Sequence, residues 1–468
     1  MGRSWGELRE RILSRIRPTG EEERLVEEFC RRVSGELSER LREAGFKAVA
    51  EVHGSVAKGT WLSGERDVDI FILLDPGYDR GVIPQVLEVV KGYLGSGWVE
   101  AYAEHPYLQA RIDEFQVDFV PCFRIRPGEP LKSATDRTPL HTAYVREHLR
   151  PEQRDEVRLL KRFLKGIGVY GAELKVGGFS GYLCELLIIH YGSFEELLEA
   201  AAKWRRGTVI QLEVGPDPRE LRRRFGTPLI VVDPIDPNRN VAAPVSEDSF
   251  WSFVAASRSF LKEPRETYFY PGEERPTAEE VLDALRLRGS DLLFVVIPDS
   301  DVDVPDILWG QLYKAERALR GLLERWGFEV LRSAAWSDEA SRHILIYELE
   351  SAELPSVEKH MGPPVEVVEH SDRFLRKHLG SAKTISGPWI EDGRWWILTR
   401  RKWTEALELL RHHLEVDGGR GIGVPKRLSR RMKEGFNIVL NDEIEPYLEG
   451  DFIRFLNQFL RGRPSWLH

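Results

Sequence analysis

Residues 52–74, VHGSVAKGTWLSGERDVDIFILL, restrict the folds open to this chain more than any other stretch. An apolar run ends in the turn-forming pair Gly54 and Ser55. Twelve residues later two carboxylates, Asp67 and Asp69, interrupt a second apolar run. Side chains at i and i+2 of a strand point to the same face. The alternation Asp67-Val68-Asp69-Ile70 therefore puts both acids on one side, with Cα atoms roughly 6.5–7 Å apart. Two like charges so placed repel each other and cost stability. A divalent cation, or a pair of them, is the usual physical reason to keep such an arrangement. The fold is thus expected to carry a sheet with an acidic end.

The flanking segments supply the rest of that sheet. Residues 21–44 place Leu25, Val26, Phe29, Val33, Leu37 and Leu41 at helical spacing, and Glu21, Glu22 and Glu23 suit the positive helix start. Residues 47–53 predict the first strand and 67–74 the second. Residues 56–62 open a short helix, 84–94 form another, and 98–103 and 107–112 are strands. In 115–121, Phe115, Val117 and Phe119 alternate with Gln116, Asp118 and Val120. Asp118 is a third acid in strand-like sequence, either an edge residue or the completion of a two-metal site. The backbone N–H groups after Gly54, with the Ser55 hydroxyl, Lys58 and Thr60, suit a phosphate; alone they equally describe a plain strand-to-helix turn.

Composition excludes several classes. A chain of 468 residues carries two to four domains. Its net charge of −9 argues against a uniformly basic nucleic-acid coat but allows a local basic groove. Cys30, Cys122 and Cys184 form no CxxC pair, which fits buried thiols in a reducing cytoplasm rather than a disulfide or zinc framework. The start of the chain reads as a charged helix without a signal peptide. No run of 18 apolar residues predicts a membrane span.

Glycine-serine followed by Asp-x-Asp recurs by chance; strand context and a third acid are much rarer. Together Gly54, Ser55, Asp67, Asp69 and Asp118 resemble the DNA polymerase β-type nucleotidyltransferase superfamily. RTPLHTAYV (137–145), residues 159–194, VVDPIDPNRNVAA (231–243), WGQLYKAERAL (309–319), LRSAAW (331–336) and GRWWIL (393–398) look like the archaeal, class I CCA-adding enzymes. The likeness spans most of the chain and is least distinct at the far C-terminus. It implies addition of C, C and A to the tRNA 3′ end from CTP and ATP, without a nucleic-acid template and with release of pyrophosphate. It implies two Mg²⁺ ions on Asp67, Asp69 and Asp118, about 3.5–4 Å apart, and a homodimer. Its nucleotide-contacting positions fall on Ser55, Lys58, His141, Lys161 and Tyr170, with Arg239 beside the base. Two departures are visible: Asp67 stands where glutamate is often found, and Lys58 where arginine is common. Lysine lacks the planar bidentate fork of arginine.

The resemblance implies an α+β multidomain fold: a catalytic head of mixed sheet and helices at 1–150, a helical neck at 151–263, a body at 264–331 and 385–468, and a tail at 332–384. Other readings on the same core are a poly(A) polymerase, an oligoadenylate synthetase, or a non-catalytic RNA-binding protein on a decayed core, whose mark would be the loss of one or more acids; all three are present here.

Residue chemistry runs alongside. The helix expected at 151–166 carries Arg154, Arg158, Lys161 and Lys165 in one basic stripe, either a solvated face or a partner for a triphosphate. Tyr170 either meets the nucleotide or caps the core. His141, taken alone, reads as structural, as do His190 and His343. Residues 180–192 are apolar enough to predict a buried helix, and Ser180 lacks the glycine context of a nucleophile elbow. Residues 231–240 predict a strand ending in an ordered loop, where Asp233 and Asp236 beside prolines indicate turn chemistry. Residues 262–277 read as a linker. Beyond it, strands at 291–298, 328–333 and 343–350 and a helix at 306–326 predict a small α+β module, with a break at 361–366. DSDVDVPD (299–306) lacks the glycine at position six and the acid at position twelve of a calcium loop. Trp389, Trp395, Trp396 and Trp403 lie near Arg400 and Arg401 and serve either as core or as RNA-stacking surfaces. Lys426, Arg427, Arg430 and Arg431 form the densest late basic cluster and are candidates for the tRNA backbone.

Overall fold

The computed structural model describes residues 3–102, 104–126, 129–272, 275–299 and 304–467. They form two compact units, Met1–Glu273 with Pro464–His468, and Glu274–Arg463.

The first unit opens with α1 (Arg3–Ile16) and α2 (Gly20–Glu43). A capping box starts α2: Thr19 Oγ1 accepts from the Glu22 N–H at 3.2 Å, and Glu22 returns a carboxylate oxygen to the Thr19 N–H at 2.8 Å. The buried stripe of α2 is the expected one, with Cys30 added and Leu25 left exposed. Next come β1 (Ala48–His53), α3 (Gly54–Lys58), β2 (Asp67–Leu74), α4 (Ile83–Leu94), β3 (Trp98–Tyr102), β4 (Pro106–Ile112) and β5 (Phe115–Phe123). Residue 103, at the end of the expected strand, lies outside the described residues. The strands form one sheet in the order β1-β2-β5-β4-β3. β2 and β5 run parallel, and the other pairs are antiparallel. Val68, Ile70 and Ile72 of β2 and Phe115, Val117 and Phe119 of β5 pack with α2 and α4. Period-two alternation then sends Asp67, Asp69 and Asp118 to the opposite face.

The chain continues through α5 (Arg137–His148), α6 (Gln153–Gly166), α7 (Gly181–Tyr191) and α8 (Phe194–Ala201). A short parallel pair, β6 (Thr208–Ile210) and β7 (Leu229–Val231), brackets α9 (Pro218–Phe225), and α10 (Glu247–Lys262) follows. One apolar core around Leu160, Phe163, Leu187, Phe253 and Phe260 joins α5, α6, α7, α8 and α10 to α1. Each such buried side chain contributes about 1.5–3 kcal/mol relative to exposure. The expected linker at 262–277 is partly core, since Tyr268 and Phe269 are buried here, while residues 273 and 274 lie outside the described residues. Trp466 also belongs to this core, with its ring centroid 5.9 Å from that of Tyr268.

The second unit begins with α11 (Ala278–Arg286), β8 (Asp291–Pro298), α12 (Pro305–Arg325), β9 (Val330–Ser337) and β10 (Arg342–Leu349). β11 (Val357–Pro364), α13 (Val368–His378), β12 (Thr384–Glu391) and β13 (Arg394–Arg400) come next. α14 (Ala406–Asp417), α15 (Lys426–Glu434), β14 (Asn437–Leu440) and α16 (Gly450–Arg461) complete it. An antiparallel sheet ordered β14-β8-β10-β9 has α12, α14 and α15 on one face and α11 and α16 on the other. The expected strand-helix-strand-strand module is present, with β14 returning from far downstream.

The tail limits expected at 331/332 and 384/385 fall inside β9 and β12. β9 belongs to the four-stranded sheet, and β12 pairs with β13 in a separate sheet ordered β11-β13-β12. The break expected at 361–366 lies largely within β11: its prolines sit at the strand end, where a missing N–H costs least. The acidic segment 299–306 lies partly outside the described residues.

Candidate active site

Two parallel strands bring the acids together. Asp69 of β2 is in register with Asp118 of β5, and Asp67 with Gln116. Asp67 is exposed, while Asp69 and Asp118 are half-buried. Burial raises all three pKa values above the ordinary carboxylate range. Asp118 is pushed up to about 6: burial is the main cause, a hydrogen bond from Gln109 Nε2 at 2.9 Å opposes it, and Asp69 and Asp67 add repulsion. At Asp69, Lys58 and Lys161 counter the burial while Asp67 adds to it. Among the described residues, no three His, Cys, Asp or Glu side chains already converge into a closed metal cage.

Asp69 leans against the turn. Gly54 has φ +64°, and a β-carbon there would meet Asp69 Oδ2 at 1.8 Å. α3 starts at this glycine, two residues earlier than the spacing predicts. Ser55 lies half-buried in the first turn of α3, and Lys58 is buried at its end.

The buried helix expected at 180–192 is α7, and it organises the site. Ser180 caps it, accepting from the Leu183 N–H at 3.1 Å. Its Glu185 is fully buried and receives Lys58 Nζ at 2.5 Å and the Thr60 hydroxyl at 2.6 Å. Lys161, 1% exposed, donates to the Thr60 carbonyl at 3.0 Å. A β-carbon on Gly181 would touch Tyr170 Oη at 3.3 Å and Lys161 Nζ at 3.6 Å, so both side chains rest on the first turn of α7. The basic stripe of α6 is largely committed to this loop. Arg158 donates to the carbonyls of Gly59 at 2.8 Å and Trp61 at 3.0 Å, and Lys165 pairs with Glu65 at 2.5 Å.

His141 sits in a second network. Its ring stacks on Tyr182 of α7, with centroids 4.0 Å apart, and its Nε2 lies 3.0 Å from Asp233 Oδ2. Arg239 Nη1 reaches the same oxygen at 2.7 Å, and the Tyr182 hydroxyl donates to Oδ1 at 3.3 Å. Burial works to raise Asp233, but His141, Arg239 and the Ile235 N–H bring it down to about 2. Burial holds His141 below the usual imidazole range, against the pull of Asp233. The expected turn chemistry is also present: Asp233 accepts from the Ile235 N–H at 3.0 Å and Asp236 from the Asn238 N–H at 3.1 Å. Sequence reasoning missed Glu185, Tyr182 and Gln109. A lone glutamate inside an otherwise apolar helix was the one available signal.

Comparison with known proteins reads the same way along the whole chain. Residues 30–141 match the nucleotidyltransferase domain, and 155–270 the second domain of tRNA nucleotidyltransferases. Residues 288–441 match the C-terminal domain of CCA-adding enzymes. The CCA-adding enzyme of Methanothermobacter thermautotrophicus is 41% identical over 96% of this chain and 97% of its own length. The chain belongs to the CCA-adding enzyme family. The relatives from Pyrobaculum aerophilum and Methanosarcina acetivorans are 39% and 37% identical, over 86% and 97% of this chain and 91% and 98% of theirs. The enzyme is therefore a nucleotidyltransferase that builds the tRNA 3′ CCA end, as the resemblance implies, and the three rival readings are not favoured. Nucleotidyl transfer on this fold generally depends on a divalent metal. Among the described residues, no helix is long and apolar enough to cross a membrane.

The RNA candidates of this CCA-adding enzyme divide. Lys426, Arg427 and Arg430 are exposed on α15, and with Arg420, Ser429 and Lys433 they line a depression of about 620 Å³. Arg400 is exposed at the end of β13. Arg431 is not on that surface: it is 3% exposed and pairs with Asp299 at 2.8 Å, because the helical period turns it inward beside Leu428 and Met432. Arg401 is half-buried and donates to the carbonyls of Pro355 and Trp326, each at 3.2 Å. Trp389, Trp395, Trp396 and Trp403 are all half-buried. Lys359 Nζ stands 4.2 Å from the Trp396 ring centroid and 5.9 Å from that of Trp389.

Proposed function

We propose that Asp67, Asp69 and Asp118 hold two Mg²⁺ ions and that the nucleotide lies between them and α7. The observation that carries this reading is the parallel register of Asp69 and Asp118. The donor set fits the ion: three carboxylates supply hard oxygen ligands, and burial, with a smaller contribution from neighbouring carboxylates, raises the pKa of each. When bound, such ions neutralise the triphosphate and make the attacking hydroxyl more acidic.

The residues of the chain do the rest. Ser55, Lys58, Lys161 and Tyr170 take the triphosphate, and His141 and Arg239 sit toward the base. Arg239 keeps more than a third of its side chain exposed while anchored on Asp233, which suits a group that must present donors to a nucleobase edge. The tRNA 3′-oxygen attacks the α-phosphorus, the α–β anhydride bond breaks, and pyrophosphate leaves. Asp118, ionised at neutral pH yet weakly acidic for an aspartate, is suited to accept the hydroxyl proton. No covalent bond to the protein forms. The head extends to residue 150 and the neck follows it. Lys426, Arg427, Arg430 and Arg400 contact the tRNA backbone, and the enzyme works in the cytoplasm as a homodimer.

A tRNA lacking its CCA end, incubated with CTP and ATP singly and together, tests the reading. Growth should stop after three residues, and Asp69→Ala should abolish both CMP and AMP addition while tRNA binding persists. Extension by Asp69→Ala would overturn the metal assignment. A solution mass near twice 53.8 kDa tests the dimer.

A further inference from the structure

We infer that Glu185 is a positioning residue for nucleotide binding, fixing Lys58 at the mouth of the phosphate turn. The inference rests on the reading that Lys58 meets the triphosphate.

The geometry is unusual for a surface enzyme site. Glu185 is fully buried in the middle of α7, where an ionised carboxylate needs compensation. Both of its oxygens are used, one by Lys58 Nζ at 2.5 Å and one by the Thr60 hydroxyl at 2.6 Å. Lys58 closes α3 and Thr60 lies just beyond it, so one carboxylate ties down both the last residue of the helix and the loop leading to β2. Lys161 clasps the same loop through the Thr60 carbonyl. Tyr182, one turn back on α7, places its ring 5.7 Å from Lys58 Nζ. Lys58 is thus bounded by α7 on one side, and Asp69 feels its charge on the other.

The residue type gives this contact its purpose. A guanidinium is planar and pre-organised, whereas an ammonium on a four-carbon stem has no preferred direction. With lysine at position 58, an external anchor must supply the orientation that an arginine carries in its own shape. Glu185 is that anchor. It also offsets the mutual repulsion of Lys58 and Lys161.

The test is steady-state kinetics with tRNA lacking its CCA end, in the full-length enzyme. Glu185→Gln keeps the shape and removes the charge. It should raise KM for CTP and ATP alike by about tenfold, with kcat and the KM for tRNA changed by less than about threefold. The same substitution in a Lys58→Met background should add nothing further to the nucleotide KM. Glu185→Asp keeps the charge and draws it back by one carbon. It should raise the KM by an intermediate factor, again only when Lys58 is present, and it serves if the glutamine variant fails to fold. If Lys58→Met leaves the nucleotide KM unchanged, the underlying reading of Lys58 is wrong. If Lys58→Met raises it but neither Glu185 variant does, or if their effects persist without Lys58, the positioning role alone is overturned.

Discussion

A β-carbon on Gly54 would stand 1.8 Å from Oδ2 of Asp69, so the phosphate turn and the metal-facing carboxylate occupy adjoining space. Residue 54 also has φ +64°, where an L side chain costs roughly 1–2 kcal/mol. Gly54→Ala should therefore displace Asp69 as well as strain the turn. The expected outcome is a loss of at least about a hundredfold in kcat, with a drop in Tm of several degrees. Incorporation of labelled CMP and a thermal melt measure the two separately. Activity within threefold of wild type would show that Asp69 does not need its observed position.

The acids also shape stability against pH. Asp118 titrates near 6 in the folded chain, well above its ordinary value of 3.8. Between those two values the native state keeps a proton that the unfolded state has released, so stability falls as pH rises through that window. Asp118→Asn removes the penalty. In a chelator it should raise Tm at pH 8 and leave it nearly unchanged at pH 4. Mg²⁺ at ten times its Kd should restore about 1.4 kcal/mol to the wild-type protein at pH 8, and less to the variant. An identical Tm difference at both pH values would exclude Asp118 as the source.

These two sites mark what could be read before the fold was known. Period-two alternation is local, so it placed Asp67 and Asp69 on one face of a strand and Asp118 on another strand, opposite its apolar side. The parallel register that sets Asp69 beside Asp118 depends on the crossover between β2 and β5, which runs from residue 75 to residue 114, and no pattern in either strand encodes it. Long-range partners were hidden for the same reason. Glu185 looks like an interruption of an apolar helix until Lys58 and Thr60 arrive from 127 and 125 residues away. The basic stripe of α6 was legible as a stripe, yet its work of holding the Gly59 and Trp61 carbonyls was not. The three-stranded sheet went unseen because a strand ending in two prolines reads as a break.

Asp233 is fully buried and joins His141, Arg239 and Tyr182 in one hydrogen-bonded cluster, and its replacement should be costly. Asp233→Asn would leave Arg239 without its charge partner and present an amide donor to some of the groups that now donate. The expected loss is about 3 kcal/mol of stability, with a rise in the nucleotide KM. The Asp233 pKa lies near 2, below its ordinary value of 3.8. Its contribution is therefore fully present above pH 3.8 and lost as the pH falls toward 2. Lowering the pH from 7 to 5 should leave the wild-type minus Asp233→Asn stability difference unchanged. A difference that shrinks over that range, followed by urea unfolding, would mean that His141 and not Asp233 sets the titration.

Two neighbours on α15 should behave in opposite ways. Arg431 is buried against Asp299 at 2.8 Å, and Lys426 is exposed at the rim of the basic depression. Arg431→Ala removes one partner of a buried pair and should destabilise the second unit by about 3–5 kcal/mol. Its melting transition should fall by on the order of ten degrees, and any weakening of tRNA binding should disappear once the fraction folded is taken into account. Lys426→Ala should leave melting unchanged. It should weaken tRNA binding and lower the slope of log Kd against log salt by about one ion. Filter binding from 50 to 200 mM salt reads that slope. If Lys426→Ala leaves it as steep as in the wild type, the tRNA backbone does not run across this face of α15.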